Sequence, residues 1–317
     1  MAENGVRQWQ VTDAEAGQRL DNFLLRVMKG VPRSHIYKIL RSGEVRVNKG
    51  RARPHYHLAE GDVLRLPPVR VAAPSDPAVL PAYLQSQLEA AVLYEDTHLL
   101  VLDKPSGLAV HGGSGLSWGV IEALRQLRPD ARELELVHRL DRDTSGCLIL
   151  SKKRSALRAL HEALREGLME KRYLALAAGD WQGRARSVRL ALRKNTLQSG
   201  ERMVRVDPVE GKAAHTRFLP LEHFPGAVLL QADLDTGRTH QIRVHLQAIG
   251  HAVAGDEKYG DAVFNQHLRA LGLRRLFLHA ALVAFRHPQD GRPMRIEAPL
   301  PADLRSILTR LRKPSAG

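Results

Sequence analysis

Ten residues, Val137-His138-Arg139-Leu140-Asp141-Arg142-Asp143-Thr144-Ser145-Gly146, place two arginines and two aspartates between two apolar runs. Leu134 to Val137, with Glu135 inside it, leads in, and Cys147-Leu148-Ile149-Leu150 leads out. Short apolar runs bounded by turn residues are read as buried strands, so the charged loop must emerge where a core strand ends. Rigid flanks of that kind hold side chains at fixed positions, which suits chemistry. Loop carboxylates flanked by guanidiniums are held in the charged form. An Asp/Gly turn with ordinary salt bridges uses the same residues, and the loop alone leaves both readings open.

The rest of the chain narrows the choice. Its 317 residues suggest two domains, and 44% hydrophobic residues are ample for a core. Lys+Arg number 48 against 34 Asp+Glu, a formal net charge of +14. Such an excess points to a polyanionic partner, nucleic acid or an anionic membrane. No run of about 18 apolar residues occurs, so no membrane span is expected. Met1-Ala2-Glu3-Asn4-Gly5 lacks the basic-then-apolar order of a signal peptide. The single cysteine, Cys147, excludes an internal disulfide and a zinc site of several cysteines. It reads as inert core. These features favour a soluble, cytoplasmic protein that binds nucleic acid, with a monomer as the default.

Residues 1–17 are polar, with one short strand expected around Trp9-Gln10-Val11. Leu20, Phe23, Leu24 and Val27 then fall at helical spacing. Gly30 ends that helix and Pro32 opens a second one, with Ile36, Ile39 and Leu40 on its apolar face and Gly43 as its stop. Val45-Arg46-Val47 and Val63-Leu64-Arg65-Leu66 alternate like strands. Between Gln18 and Arg70 there are 12 Lys+Arg and 4 Asp+Glu, so a sixth of the chain carries over half of the net charge. Arg33, Lys38, Arg41, Arg46, Lys49, Arg51 and Arg53 lie on or beside the second helix and the following turn. Phosphate contacts need such a cluster on one surface. The order helix–helix–strand with Gly-Glu-Val-Arg-Val-Asn resembles the RNA-binding domain named after small-subunit ribosomal protein S-four. The resemblance covers 18–67 and implies a platform for structured RNA. Residues 69–82, rich in Pro and Ala, read as a linker between an N-terminal domain at 1–68 and a second domain at 83–317.

The second domain opens with a short helix from Tyr83 to Ala91 and a hairpin pattern, Val92-Leu93-Tyr94 with Leu99 to Leu102. An amphipathic helix follows on Val120, Ile121, Leu124 and Leu127, and another on Leu157, Leu160, Leu164 and Leu168. Strands are expected at 171–176, 187–192, 204–206, 214–219 and 227–234. Leu276 to Ala280 reads as a strand or the start of a helix. Leu304, Ile307, Leu308 and Leu311 make a C-terminal amphipathic helix. Hairpin-like strands with interspersed helices argue α+β, with a mainly antiparallel mixed β-sheet flanked by helices.

His138-Arg139-Leu140-Asp141-Arg142-Asp143-Thr144-Ser145-Gly146 resembles the catalytic signature of the pseudouridine synthases of the RluA family. Most closely it resembles the RluC branch, which acts on large-subunit ribosomal RNA. The resemblance continues through Leu102-Asp103-Lys104-Pro105-Ser106-Gly107, Lys171-Arg172-Tyr173, Thr236-Gly237-Arg238-Thr239-His240-Gln241-Ile242-Arg243-Val244-His245, Gly255 to Gly260 and Arg275 to Ala280. It implies that Asp141 is the essential carboxylate and that Arg243 contacts it, where a guanidinium could grip it in a bidentate fork. It further implies that Tyr173 stacks on the target base and that Arg139 intrudes on the RNA. Gly255 to Gly260 and Arg275 to Ala280 read as mainly structural, with Leu278 a candidate apolar wall of the pocket. His138 reads as a structural hydrogen-bonding residue and Asp143 as a loop-shaping acceptor.

The implied reaction breaks the bond from ribose carbon 1′ to uracil nitrogen 1 and joins carbon 5 to carbon 1′. It is an isomerisation that consumes nothing, in keeping with the absence of Gly-x-Gly-x-x-Gly and Gly-Lys-Ser/Thr phosphate loops; no cofactor is expected. The positive charge that builds at carbon 1′ suits an ionised carboxylate, by stabilisation or by covalent attack. Attack on carbon 1′, attack on carbon 6 of the base and removal of the 2′ proton all stay open. A non-catalytic ribosome-binding or assembly factor is the alternative reading. Gly115-Leu116-Ser117-Trp118-Gly119 fits the serine-hydrolase pattern, but a Gly-rich loop rather than a strand precedes it. His240 and His245 are five apart, not the i, i+4 pair of a zinc-binding helix, so no metal is expected.

Overall fold

The computed structural model describes residues 5–28, 30–68, 79–112, 118–131, 133–196 and 202–313, without the side chains of Arg33, Ser34, Thr196 and Arg202. The chain forms two compact units, Met1–Val79 and Leu80–Gly317. Most of the expected linker, 69–78, lies outside the described residues, and Ala82 at its end already belongs to a helix.

The N-terminal unit follows from two short amphipathic helices that cannot bury their apolar faces alone. Its elements are β1 (Arg7–Gln10), α1 (Leu20–Val27), α2 (Arg33–Ser42), β2 (Arg46–Val47), β3 (Gly50–Arg51) and β4 (Val63–Leu66), with sheet order β1-β4-β2-β3. Leu20, Phe23 and Leu24 of α1 and Ile36, Ile39 and Leu40 of α2 are buried in one cluster with Leu64 and Leu66 of β4. β1 starts two residues before the expected Trp9-Gln10-Val11 and ends before Val11, and its Trp9 meets Phe23 edge-on at 5.5 Å. Asn48 and Lys49 have φ of 49° and 67°. A two-residue hairpin turn that matches strand twist needs both central residues in that left-handed region. Asn48 secures it by donating to Asp62 Oδ1 at 2.8 Å and accepting from the Val63 N–H at 2.9 Å.

The second unit contains α3 (Ala82–Ala90), β5 (Val92–Glu95), β6 (Leu99–Lys104), α4 (Val120–Leu127), β7 (Glu135–Leu136), β8 (Ser145–Ser151), α5 (Arg154–Arg165), β9 (Glu170–Ala178), β10 (Arg186–Arg189), β11 (Leu192–Thr196), β12 (Arg202–Val206), β13 (His215–Phe224), β14 (Ala227–Leu234), α6 (Gln241–Ala248), α7 (Ala262–Ala270), β15 (Leu278–Arg286), β16 (Pro293–Glu297) and α8 (Ala302–Arg312). Ten strands make one sheet in the order β10-β13-β14-β9-β15-β8-β6-β5, with β16 beside β15 and β7 beside β8, while β11 and β12 form a separate hairpin. Every pairing in the large sheet is antiparallel except that of β15 with β8. The fold is therefore α+β with a mainly antiparallel mixed sheet.

All seven residues of β8 are buried. Leu148 and Leu150 point into the cluster that α4 covers, and Cys147 and Ile149 into the one that α5 covers. A strand covered on both faces has no need of polar alternation, which is why this stretch reads as one unbroken apolar run. Leu168, counted on sequence spacing as part of α5, lies past its end and is exposed. The sequence pattern also missed β11, whose residues are mostly polar or charged, and β16, where Met294 and Ile296 alternate with Arg295 and Glu297 over only four residues.

Gly146 has φ of 108°, and a Cβ there would collide with the backbone of Ala280. It sits at the parallel joint, where His279 pairs with Ser145 and Ala280 with Gly146. Gly146→Ala is expected to destabilise the protein by about 2 kcal/mol or more through backbone strain and overpacking. Denaturant titration checks this, and a midpoint unchanged from wild type would contradict it.

Candidate active site and RNA-binding surface

The Asp141 loop is fixed from beneath by a buried cation. Lys104, at the end of β6, is fully buried, and its ammonium donates to the carbonyls of Pro105 (2.7 Å), Leu108 (2.8 Å) and Arg142 (3.0 Å). Burial pulls its pKa down to about 7, while the nearby Asp143 and Asp141 charges oppose that. Three carbonyls meeting three hydrogens is the geometry of the protonated form. The Ser106 hydroxyl donates to the Asp143 carbonyl and the Gly107 N–H to that of Arg142, so the 105–108 loop clamps the charged loop by its backbone. The loop-shaping contact at Asp143 thus runs through its carbonyl, while its carboxylate pairs with exposed Arg142. His138 is structural: its Nε2 accepts from the Ile149 N–H at 3.1 Å.

Arg243 of α6 donates to Asp141 Oδ2 at 3.1 Å through Nη1 alone. Its bidentate fork goes elsewhere, to Asp256, with Nε to Oδ2 at 2.6 Å and Nη2 to Oδ1 at 2.8 Å. The sequence reading placed the fork on Asp141, and the reason for the difference is burial. The Asp256 side chain is 0% exposed against 23% for Asp141, so Asp256 is the carboxylate that needs complete compensation. Asp256 also accepts from the N–H groups of Lys258 and Tyr259. Burial opposes charge at both Arg243 and Asp256. Their mutual bonds outweigh it, holding the guanidinium above and the carboxyl below their usual ranges.

Gln241 builds the turn that delivers α6. It is 2% exposed and uses both ends of its amide. Its oxygen accepts from the Thr236 hydroxyl and the Arg238 N–H, and its nitrogen donates to the His215 carbonyl and Thr216 Oγ1. The next residue back, His240, has φ of 54° and brings Nε2 to 3.9 Å from Asp141 Oδ1.

Tyr173 of β9 is 7% exposed and belongs to the same apolar cluster as Leu140, Ile242 and Leu278. Burial, and then the Asp141 charge, push its hydroxyl above the usual phenol range, so it is neutral. Ala280 pairs with Tyr173 and Leu278 with Ala175, which puts Leu278 on the Tyr173 face of the sheet. Arg139 is exposed and pairs with no carboxylate among the described residues. Gly115, Leu116 and Ser117 of the hydrolase-like pattern lie outside the described residues. Among the described residues no three His, Cys, Asp or Glu side chains gather as a metal site, and no helix is long and apolar enough to cross a membrane.

In the N-terminal unit, Lys38, Arg41, Arg46, Lys49, Arg51 and Arg53 are all exposed, and the side chain of Arg33 is not described. The register sets Arg51 opposite Arg46 and Arg46 opposite Arg65, so three arginines run across β3, β2 and β4. Arg65 was not singled out from the sequence, although its place between Leu64 and Leu66 implied an outward side chain.

A model of the RNA pseudouridylate synthase family matches residues 98–248, and one of the S4 domain matches 18–64. The ribosomal large subunit pseudouridine synthase C of Pasteurella multocida (strain Pm70) is 57% identical over 310 residues, 97% of this chain and 94% of that protein. The protein of the same name from Escherichia coli (strain K12) is 59% identical over 306 residues, 95% of each. The chain belongs to the RluA family of RNA pseudouridine synthases. Among solved structures, human RNA pseudouridylate synthase domain containing 4 superposes with a TM-score of 0.60 at 25% identity, covering 73% of this chain and 96% of that one. The chain is thus an isomerase of uridine in RNA, with an S4 domain in its N-terminal unit.

Sequence reasoning missed Lys104 and Asp256 as the supports of this candidate site. Both lie within family-like stretches; what singles them out is complete burial of a charge, which spacing does not reveal. Asp256→Asn is expected to cost about 3–5 kcal/mol by leaving Arg243 buried and underpaired. It should also slow the reaction about 100-fold through misplacement of Asp141. Chemical denaturation and single-turnover rates test the two effects, and a variant with wild-type values of both would remove Asp256 from this role.

A pH effect follows from His279 of β15. Its Nδ1 accepts from the Ser145 hydroxyl (2.9 Å) and its Nε2–H donates to the Ala298 carbonyl (3.1 Å), while Ser145 Oγ accepts from Arg275. Burial, with the Arg275 charge adding to it, lowers its pKa to about 4. The unfolded chain takes up this proton below about pH 6.5 and the folded protein refuses it until about 4. Stability from His279 is therefore complete above pH 6.5 and declines as pH falls toward 4, by up to about 1.4 kcal/mol per pH unit. Urea midpoints for His279→Gln between pH 7.5 and 4 should show a flatter decline than wild type; equal slopes would refute the assignment.

Proposed function

We propose that this synthase isomerises specific uridines of large-subunit ribosomal RNA to pseudouridine, with Asp141 as the catalytic carboxylate. The observation that carries the reading is the asymmetric setting of Asp141. One oxygen is fixed by Arg243, itself braced by Asp256, while the other faces away from that bond and is 3.9 Å from His240 Nε2. A carboxylate aimed by one oxygen and open at the other is suited to meet the positive charge that develops at ribose carbon 1′. The RNA substrate is suggested by the two bacterial relatives, both ribosomal large subunit pseudouridine synthases, which match over nearly the whole chain.

The steps follow from the residues around Asp141. A stacked uridine must leave its stack, at a cost of a few kcal/mol. Arg139, exposed in the same loop as Asp141, fills the vacated space or grips the phosphate of the flipped nucleotide. The Tyr173 ring offers a face on which the uracil stacks, worth about 1–3 kcal/mol, with Leu278 as apolar wall. The bond from carbon 1′ to nitrogen 1 breaks with its electron pair on the base. Asp141 stabilises or captures carbon 1′ until carbon 5 has replaced nitrogen 1. The exposed cations at Lys38, Arg41, Arg46, Lys49, Arg51 and Arg53, with Arg33, supply phosphate contacts that position the RNA without reading its bases.

Large-subunit ribosomal RNA carrying tritium at uracil carbon 5 tests the reading. Wild type should release tritium, and Asp141→Ala should bind the same RNA equally well and release none. Binding by both proteins without release by either would instead favour an assembly factor.

A further inference from the structure

His240 holds a backbone conformation that side chains rarely adopt. Its φ of 54° is one of three positive values at non-glycine residues among the described residues, and the other two form the Asn48-Lys49 turn. Strain of this kind persists where surrounding contacts impose it, and it clusters at functional sites. Here the contacts can be followed atom by atom. The Val204 N–H of β12 donates to the Tyr259 hydroxyl at 2.8 Å, and that hydroxyl lies 2.8 Å from His240 Nδ1. The Tyr259 hydroxyl hydrogen has no other acceptor among the described residues, so it goes to Nδ1. The imidazole proton therefore sits on Nε2. The Tyr259 ring also stands edge-on to His240 at 5.5 Å and lies under the Arg243 guanidinium at 5.0 Å. One tyrosine thus orients both groups that flank Asp141.

Nε2 lies 3.9 Å from Asp141 Oδ1, beyond a direct hydrogen bond, so its hydrogen is left for an acceptor atom that the substrate brings up beside that oxygen. We propose that this atom is a uracil carbonyl oxygen and that His240 is a catalytic residue, a neutral hydrogen-bond donor to the base while it is detached. The proposal rests on Asp141 being the carboxylate that faces carbon 1′. Near carbon 1′ of a uridine the closest carbonyl is O2, bonded to the ring carbon beside nitrogen 1. As the glycosidic bond breaks, its electron pair passes to the base and is shared among nitrogen 1, O2 and O4. The base then turns about the axis from nitrogen 3 to carbon 6. That rotation brings carbon 5 to the former place of nitrogen 1 and O4 to the former place of O2. A single fixed N–H can therefore hold the base at both ends of its turn. The pair on the base forms the new bond from carbon 5 to carbon 1′, the carbon 5 proton leaves to water, and nitrogen 1 takes a proton from water.

A donor in this position must keep its proton. Transfer to the base would quench the negative charge that drives carbon 5 onto carbon 1′. Burial keeps His240 neutral by lowering its pKa. Among the groups facing it, Asp141 and Asp256 oppose that shift, while Arg243 and Lys258 add to it. The Tyr259 hydrogen on Nδ1 acts in the same sense, because it satisfies the unprotonated nitrogen.

Single-turnover rates and RNA dissociation constants of His240→Ala, His240→Gln, Tyr259→Phe and Asp141→Ala test the proposal. His240→Ala should slow turnover about 100- to 1,000-fold with RNA affinity unchanged, the usual loss for one donor to a developing anion. His240→Gln, whose amide N–H reaches the same place, should recover about 10-fold of that loss. Tyr259→Phe should move the acid limb of the rate profile to higher pH, because Nδ1 then accepts a proton more readily. A His240→Ala rate near wild type, beside an inactive Asp141→Ala, would overturn the role of His240. An active Asp141→Ala would overturn the reading beneath it. If His240→Ala fails to fold, a folded, RNA-binding His240→Gln no faster than background decides against the proposal.

Discussion

Two registered residue pairs hold the large sheet together as one object. His279 with Ser145 and Ala280 with Gly146 form its single parallel joint, and on either side of it the strands run in antiparallel succession. Asp141 belongs to the loop that enters β8, on one side. Tyr173 stands on β9 and Arg243 on the helix after β14, both on the other side. The relative position of carboxylate, ring and guanidinium is therefore set by how closely β8 and β15 approach, and that approach requires a residue without a Cβ at 146. The same glycine ends the loop signature, so one atom's absence governs both the joint and the departure of the charged loop from it.

Around that joint, charge is buried in matched sets rather than avoided. Lys104 is surrounded by carbonyls, and Asp256 by Arg243 and two backbone N–H groups. Each set is closed, so the cost of desolvation is met locally. Asp141 is the exception: it has one partner on one oxygen and partial exposure. Beside these closed sets, a carboxylate satisfied on one oxygen is where binding energy can be spent on a reacting group.

The two helices of the N-terminal unit, β6, β8, β9, β14 and the C-terminal helix were legible because their apolar residues repeat at the periods of helix and strand, or run unbroken through a doubly covered layer. β11 was not, since Arg193, Lys194 and Asn195 give no apolar alternation to read, and β16 offers only one short alternation, Met294-Arg295-Ile296-Glu297. At the site, Asp141, Arg243 and Tyr173 were reachable through loop composition and family resemblance. The partner of the Arg243 fork was not, because choosing between two aspartates needs their relative burial, a tertiary property. The significance of His240 was equally hidden: its left-handed backbone and the Tyr259 hydroxyl behind it come from residues far apart in sequence. What the chain spelled out was its periodicity and its signature residues; what it withheld was which charge is closed off from water.

The arginine stripe of the N-terminal sheet carries one more implication. Like charges directly opposite on adjacent strands repel, so the alignment of Arg51, Arg46 and Arg65 across β3, β2 and β4 does not stabilise the sheet by itself. A phosphate chain laid along them would turn that repulsion into shared attraction. The strands involved are very short, two residues each for β2 and β3, and have few backbone bonds with which to resist the repulsion. A sheet of this kind would gain cohesion from a polyanion laid across it, and its short edge hairpin would gain most.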